Sequence, residues 1–229
     1  TGFGGQGITP NSVCWVGTES GLPGGEIWST GADQQGDPSS SVFCPKGCDT
    51  TLQKSDIWFW TGIDIRPLRE LIDVYHSTVG RNGVLELDFA IDREGLVDPA
   101  HAKRYAELGV WIRACYGQPV VEASANGTYA ELLLPNGAPP IDRVVLQEDL
   151  QRGQRVRAYE VDVEEQGQWK PFASGSSIGN KRIDLGPPTT AASRRFRLNI
   201  TSFVGSGGPF ITRFAAYRAC STGPDEVYV

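Results

Sequence analysis

Apolar positions in the middle of the chain follow two different periods. Over residues 64–79 they recur every three or four positions, which predicts an amphipathic helix that Gly80 ends. The segment 84–89 is short and mostly apolar, typical of a strand covered by helices. Asp98-Pro99 then gives a helix start, with Asp as N-cap and Pro in the first turn, and the helix continues to about Cys115. The order helix, strand, helix indicates an α/β region.

After Gln118-Pro119 the pattern changes to short alternating runs separated by turn residues such as Pro135-Asn-Gly137 and Glu165-Gln-Gly167. Five runs are predicted to be strands: 129–134, 141–146, 156–163, 195–200 and 210–217. Several short strands at this spacing indicate an antiparallel β-sandwich of roughly 100 residues. We therefore place a domain boundary near residue 118.

Residues 1–55 have little periodicity and are rich in Gly, Ser, Pro and Asp. A loop of that length without secondary structure is uncommon in a compact domain unless it serves a function. The pattern predicts a long excursion around a site.

Composition excludes several classes of protein. The chain has 229 residues, 39% hydrophobic and 10% aromatic, with a net charge of −6. It contains no apolar run of the roughly 20 residues that a membrane span needs, and its acidic balance disfavours a nucleic-acid partner. Its aromatic content is too high for a disordered chain. The chain has no methionine and begins at Thr1, so we expect it to be part of something larger.

The five cysteines favour disulfides over metal binding. Cys44 and Cys48 have the spacing of a metal clip, but no second close pair and no nearby histidine completes a zinc site. Cys115 and Cys220 bracket the second half of the chain, and because domain termini often lie close together, we predict that they are bonded. The odd count leaves at least one thiol that is free or pairs outside this chain.

Two N-glycosylation sequons, at Asn126 and Asn199, together with the predicted disulfides indicate an oxidising compartment. We therefore expect an extracellular or secretory/lysosomal location and N-glycosylation at these two asparagines.

A set of ordered motifs resembles a known family. They are Trp15-Val-Gly-Thr-Glu19, Trp28, Cys48-Asp49, Trp58-Phe59-Trp60, Leu68 to Tyr75 and Ser77 to Asn82, followed by Val145 to Leu150, Gly153 to Val156, Gly167-Gln-Trp169, Gly175 to Ile183 and Pro209-Phe-Ile211. In this order and spacing they are similar to the C-terminal half of family 29 glycoside hydrolases, the α-L-fucosidases, with the plant-like branch acting on α-1,3/1,4-linked fucose as the closer match.

The resemblance implies a fold. Residues 1–118 would be the C-terminal portion of a (β/α)8-like catalytic barrel, and residues 119–229 a discoidin-like antiparallel β-sandwich with a C-terminal tail. The family's nucleophilic aspartate and the first strands of its barrel would precede this chain. The resemblance therefore implies a companion polypeptide from the same precursor, and activity of this chain alone is not expected.

The resemblance also implies site residues. The acid/base glutamate of this branch lies in a Trp-x-Gly-x-Glu context, which corresponds to Glu19. Trp15, Trp28, Trp58 and Phe59 are candidate contacts for a fucosylated glycan or a related oligosaccharide. Independently of the family, Glu19 lies in a glycine-bounded loop beside Trp15, and aromatic surroundings suit an acid catalyst. The alternative is an ordinary solvated loop glutamate.

Some positions depart from the family pattern. Cys14 stands where the branch has Arg, Gly47 where it has Glu, and Asp88 where it has Asn. Because Cys14 and Cys44 both lie at replaced positions, the comparison also implies that they pair with each other. The departures leave open a second hypothesis, a catalytically degenerate relative that binds glycans or serves as a structural extracellular subunit. The sequence implies no cofactor and no metal.

Overall fold

The computed structural model describes residues 13–62 and 64–220, and its first part is built on a small parallel sheet. Three strands form this sheet in the order β1, β2, β3: Cys14–Trp15, Lys46–Thr51 and Val84–Asp88. A 3₁₀ turn over Lys54–Asp56 follows β2, and the two helices are α1, Leu68–Ser77, and α2, Pro99–Tyr116. The first twelve residues of the predicted catalytic portion and the tail after Cys220 lie outside the described residues.

The segment predicted as one long loop contains two strands of this sheet. β2 has no alternating apolar pattern because its buried positions are partly polar. Lys46 is fully buried and donates from Nζ to the carbonyl oxygen of Gly31 at 2.7 Å, and burial lowers its pKa. A buried cation satisfied by a distant backbone carbonyl leaves no periodic signal in the sequence. The loop prediction was wrong over 14–15 and 46–51.

The helix predicted from residue 64 begins later, at Leu68. Pro67 is the N-cap, with an extended backbone, and the residue before a proline is biased away from the helical region, so the helix does not include Arg66. Ile65 instead forms a β-bridge with Gln53. The second helix has the predicted cap: Asp98 Oδ1 accepts from the backbone N–H of Ala100 at 2.8 Å.

The second part of the chain consists of two four-stranded antiparallel sheets. One has the order β5, β10, β7, β8 and the other β4, β11, β6, β9. The strands are β4 Val121–Asn126, β5 Tyr129–Leu133, β6 Ile141–Glu148, β7 Val156–Glu165, β8 Gln168–Gly175, β9 Arg182–Leu185, β10 Ser193–Phe203 and β11 Phe210–Arg218. The five predicted strands are all present, and β4, β8 and β9 were missed. These three lie at sheet edges, where short strands and residues such as Pro171 weaken the pattern.

Two apolar cores hold the fold together. The larger lies between the antiparallel sheets and includes Phe196, Phe214 and Leu146. The second joins both helices to the outer face of the β4–β11–β6–β9 sheet, through Tyr75 and Trp111 on the helices and Tyr217 on β11. The helices therefore lie between the parallel sheet and the antiparallel sandwich. In the described portion, neither helix is long and apolar enough to cross a membrane.

Candidate active site

The carboxyl ends of the parallel strands collect most of the predicted site residues. Glu19 follows β1 by four residues, Trp58 and Phe59 follow β2 and its 3₁₀ turn, and Asp88 ends β3. In sheets of parallel strands this edge is where ligands bind, because the connecting loops meet there. The topology thus brings together the ends of three strands, with Glu19, Trp58 and Asp88 far apart in the chain.

Glu19 and Trp58 are in direct contact at this edge. The indole Nε1 of Trp58 donates to Glu19 Oε2 at 3.0 Å. Glu19 is exposed and Trp58 is half-buried. The carboxyl group therefore has one fixed neighbour and is otherwise open to solvent on the side where a ligand could approach.

The loop that carries Glu19 is tightly constrained by glycine. Gly21 has a φ of +74°, and a Cβ there would lie 2.9 to 3.0 Å from Val74 and Thr50. Only glycine fits such a left-handed position against buried side chains. Thr18 and Ser20 flank Glu19 in the chain. Their hydroxyl oxygens are 2.8 Å apart, and the Ser20 N–H donates to Thr18 Oγ1.

Two buried polar residues that sequence reasoning missed hold the loops of this edge. Gln53 is 1% exposed, and its amide bonds to Ile57, Phe59 and Thr61. Arg66 is 7% exposed and donates to the carbonyl oxygen of Ser20 at 3.4 Å and to Thr50 Oγ1 at 3.2 Å. No local sequence signal identifies them, because a polar residue is found to be buried only once its tertiary partners are known.

One face of the parallel sheet is largely uncovered among the described residues. Trp15 is 43% exposed and Val84 50%, and Glu86 and Asp88 are also exposed. Asp49 is half-buried and accepts from Trp15 Nε1 at 2.6 Å. This face therefore presents three carboxylates and an indole to the surroundings.

The remaining predicted substrate residues lie in different environments. Phe59 is 86% exposed. Trp28 is only 8% exposed, and the guanidinium of Arg157, on β7, lies 4.9 Å from the centroid of its ring. Phe59 is thus free to meet a ligand, whereas Trp28 packs against the antiparallel sheets. The substrate roles of all four aromatic residues stay predictions.

Two disulfides and one thiol account for the cysteines. Cys14 is bonded to Cys44 and Cys115 to Cys220, with Cα separations of 5.7 and 5.6 Å. Cys48 is buried, and burial raises the pKa of its thiol to about 12, so it is not a nucleophile at neutral pH. Within residues 13–62 and 64–220, no three His, Cys, Asp or Glu side chains are grouped to hold a metal ion.

The two sequons lie in different settings. Asn126 is the exposed last residue of β4, directly before the turn that leads to β5. Asn199 is half-buried on β10, a strand paired on both sides by β5 and β7. Asn126, beside the turn, is the more accessible acceptor, because N-glycans attach at exposed positions in or near surface loops.

Comparisons with known proteins converge on one group of enzymes. No protein-family model matches the chain. Alpha-L-fucosidase 1 of Arabidopsis thaliana is 23% identical over 220 residues, covering 75% of this chain and 43% of the plant protein. Among solved structures, a provisionally named alpha-L-fucosidase from Bacteroides thetaiotaomicron is 28% identical, with a TM-score of 0.85, 91% of this chain covered and 51% of that one.

A Ruminococcus gnavus GH29 fucosidase solved in complex with fucose has a TM-score of 0.78 at 22% identity, covering 92% of this chain and 51% of that chain, which shows a shared fold. The chain spans less than half the length of the curated relative and about half of the solved structures. Because both plant and bacterial proteins match, the plant-like branch stays a prediction.

Proposed function

We propose that this chain is the C-terminal part of a retaining α-L-fucosidase of glycoside hydrolase family 29, in which Glu19 is the general acid/base. The observation that carries the proposal is the position of Glu19, at the carboxyl edge of the parallel sheet with its carboxyl group bonded to Trp58 and open to solvent. The parallel strands and helices would be the end of a (β/α)8-like barrel, and the antiparallel sheets a discoidin-like sandwich.

The reaction would proceed in two steps. In the first, a nucleophilic carboxylate supplied by the preceding part of the protein attacks the anomeric carbon of fucose. The glycosidic C–O bond breaks, and the leaving oxygen takes the proton of Glu19. In the second step, Glu19, now a carboxylate, removes a proton from water as the water attacks the anomeric carbon and releases the nucleophile.

The uncovered face of the parallel sheet supports the need for a companion. Parallel sheets are almost always covered on both faces. Here the face that includes Trp15, Glu86 and Asp88 is exposed, and the relatives are about twice as long as this chain. A companion polypeptide from the same precursor would cover this face and bring the nucleophile opposite Glu19.

The exposed aromatic residues suit a deoxysugar. Fucose carries a methyl group, and the exposed rings of Phe59 and Trp15 offer apolar surface for it. Trp58, next to Phe59 in the chain, bonds to Glu19. The proposed ligand is a fucosylated glycan or a related oligosaccharide. The two disulfides and the exposed sequon at Asn126 favour a secreted or lysosomal glycoprotein, with Asn199 as a second acceptor site.

The test is hydrolysis of an aryl α-L-fucoside by this chain co-expressed with the preceding part of its precursor. Activity is expected for the assembly and not for this chain alone, and Glu19→Gln is expected to lower turnover at least about 100-fold. Glu70→Gln, an exposed glutamate on α1, is the matched control. An inactive assembly, or an unchanged Glu19→Gln variant, contradicts the proposal.

The Cys14–Cys44 disulfide favours a second candidate function. It joins two positions at which the resemblance expects other residue types, and Cys14 belongs to the strand that leads into the Glu19 loop. We propose as the alternative a degenerate relative that binds glycans or serves as a structural extracellular subunit. Glycan-array binding by an assembly with no turnover supports this alternative, and full activity rejects it.

A further inference from the structure

The contact between Trp58 and Glu19 distinguishes the two carboxyl oxygens. Indole is a hydrogen-bond donor only, and a protonated carboxyl group carries its proton on one oxygen. Because Trp58 Nε1–H points at Oε2 from 3.0 Å, a proton on Oε2 would face another donor. The proton of the neutral carboxyl group is therefore directed to Oε1.

Trp58 is held in place by Gln53. A glutamine amide has two donor hydrogens and two acceptor lone pairs, and Gln53 uses all four on one loop. Its Nε2 donates to the carbonyl oxygens of Ile57 and Phe59 at 2.7 and 2.9 Å, on either side of Trp58. Its Oε1 accepts from the N–H and the hydroxyl of Thr61 at 3.1 and 3.3 Å. The side chain is 1% exposed, so water cannot replace these bonds easily.

The loop on the opposite side is fixed as well. Arg66, 7% exposed, donates to the carbonyl oxygen of Ser20, the residue after Glu19, and to Gln53 O at 3.3 Å. One buried guanidinium thus contacts both the Glu19 loop and the base of the Trp58 loop. The buried side chains of Gln53 and Arg66 therefore fix the position of the Trp58 indole relative to the Glu19 carboxyl group.

We propose that Trp58 is a positioning residue that keeps Oε2 of Glu19 occupied, so that Oε1 exchanges the proton with the glycosidic oxygen, and that Gln53 holds Trp58 for this task. The inference rests on the proposed function of Glu19. It gives Trp58 a polar role that its aromatic character alone does not indicate.

The first experiment needs no enzymatic activity. In a ¹⁵N-labelled sample of this chain, Glu19→Gln is expected to move the indole N–H resonance that disappears in Trp58→Phe, while the Trp60 resonance stays in place. Trp60 is the matched indole, because its Nε1 faces a different carboxylate, Asp98, at 3.4 Å. A Trp58 resonance that does not respond to Glu19→Gln overturns the inference, whatever the activity of the enzyme.

The second experiment uses the assembled enzyme and compares leaving groups. A poor leaving group needs the proton of Glu19, whereas a dinitrophenyl group leaves with little help. Trp58→Phe is expected to lower kcat/KM roughly tenfold for a fucosyl disaccharide and less than about twofold for the dinitrophenyl fucoside. Trp60→Phe is expected to change neither. Gln53→Glu, which cannot donate to the Ile57 and Phe59 carbonyls, is expected to follow Trp58→Phe.

The outcomes separate the two proposals. If Glu19→Gln abolishes turnover but Trp58→Phe lowers both substrates equally or not at all, the positioning role is wrong and the acid/base assignment stands. If Glu19→Gln has no effect on turnover, the proposed function itself fails. Should Gln53→Glu not fold, Trp58→Phe alone decides the matter.

Discussion

Arg182 on β9 forms an ion pair with Glu26 in the long loop after β1, although 156 positions separate them. Its Nη1 lies 2.8 and 2.7 Å from the two carboxylate oxygens of Glu26, and its Nε lies 2.7 Å from Asp184. These carboxylates raise the pKa of Arg182 against the effect of its burial. The loop is thereby fastened to the antiparallel sheet by a largely buried guanidinium.

Arg182→Ala is expected to lower the free energy of unfolding by about 3 kcal/mol, because it leaves the buried Asp184 carboxylate without its cation. Urea denaturation checks this value. Lys170→Ala, at the exposed ion pair with Glu165, is the control and should cost under about 1 kcal/mol. Equal losses at both positions would show that the Arg182 contacts add nothing beyond a surface pair.

Asn82, in the turn between α1 and β3, is expected to be equally sensitive. It has a φ of +72° and is 3% exposed, and its Nδ2 donates to Ile27 O and Ser29 Oγ while Oδ1 accepts from Asn180 N–H. Asn82→Gly keeps the backbone conformation but loses the bonds, at a cost of about 2 kcal/mol. Asn82→Ala should cost about 1 kcal/mol more because alanine disfavours positive φ. Thermal unfolding of the two variants tests this order, and a more stable alanine variant contradicts it.

His76 on α1 is expected to destabilise the fold in acid. Burial, together with repulsion from Arg143, lowers the pKa of His76 to about 4, and its Nε2 lies 2.6 Å from the Tyr116 hydroxyl. In the unfolded chain the His76 imidazole takes up a proton near pH 6.5. The folding free energy is therefore unaffected by this group above that pH, and the fold loses stability as the pH falls toward 4. The loss amounts to about 3 kcal/mol. In urea titrations across this range, His76→Gln should show a flatter dependence on pH than the parent chain.

Glu148 at the end of β6 is expected to have the opposite effect. It is 5% exposed, and burial raises the pKa of its carboxyl group to about 7 despite hydrogen bonds from the N–H groups of Arg155 and Val156. The neutral Glu148 carboxyl group therefore stabilises the folded state fully below about pH 4.5, and this stabilisation is lost as the pH rises to about 7. Glu148→Gln should remove this decline in unfolding titrations. If the slope between pH 4.5 and 7 is the same in both proteins, Glu148 is not its source.

The Cys115–Cys220 disulfide ties the end of α2 to the residue two positions after β11 and closes a loop with a sequence separation of 105. Replacing both cysteines by alanine should lower the unfolding free energy by about 4 kcal/mol, because the unfolded chain regains the freedom of a long loop. Alkylation of the unfolded, non-reduced chain followed by mass spectrometry checks the pairing and should label Cys48 alone. Label on Cys115 or Cys220 contradicts it.

Local patterns of residues were sufficient to predict part of this fold. The cap at Asp98, the helix that follows it, and the alternating strands such as 156–163 were predictable because neighbouring residues create those signals. The ordered motifs around Trp15 and Glu19 gave the resemblance to family 29 glycoside hydrolases, because each motif is a short stretch of sequence. The boundary near residue 118 stays a prediction.

Which polar residues are buried, and which groups they bond to, depends on the packing of distant segments. β2 has the sequence pattern of a loop because Lys46 is satisfied by a distant carbonyl. Gln53 gives no sequence signal because its four hydrogen bonds exist only once the loop 57–61 has folded over it. Trp28 and Phe59 look alike in the sequence, yet one packs beneath Arg157 and the other is exposed. Burial and hydrogen-bond partners depend on segments distant in the chain, and for that reason the contact between Trp58 and Glu19 could not be read from either segment alone.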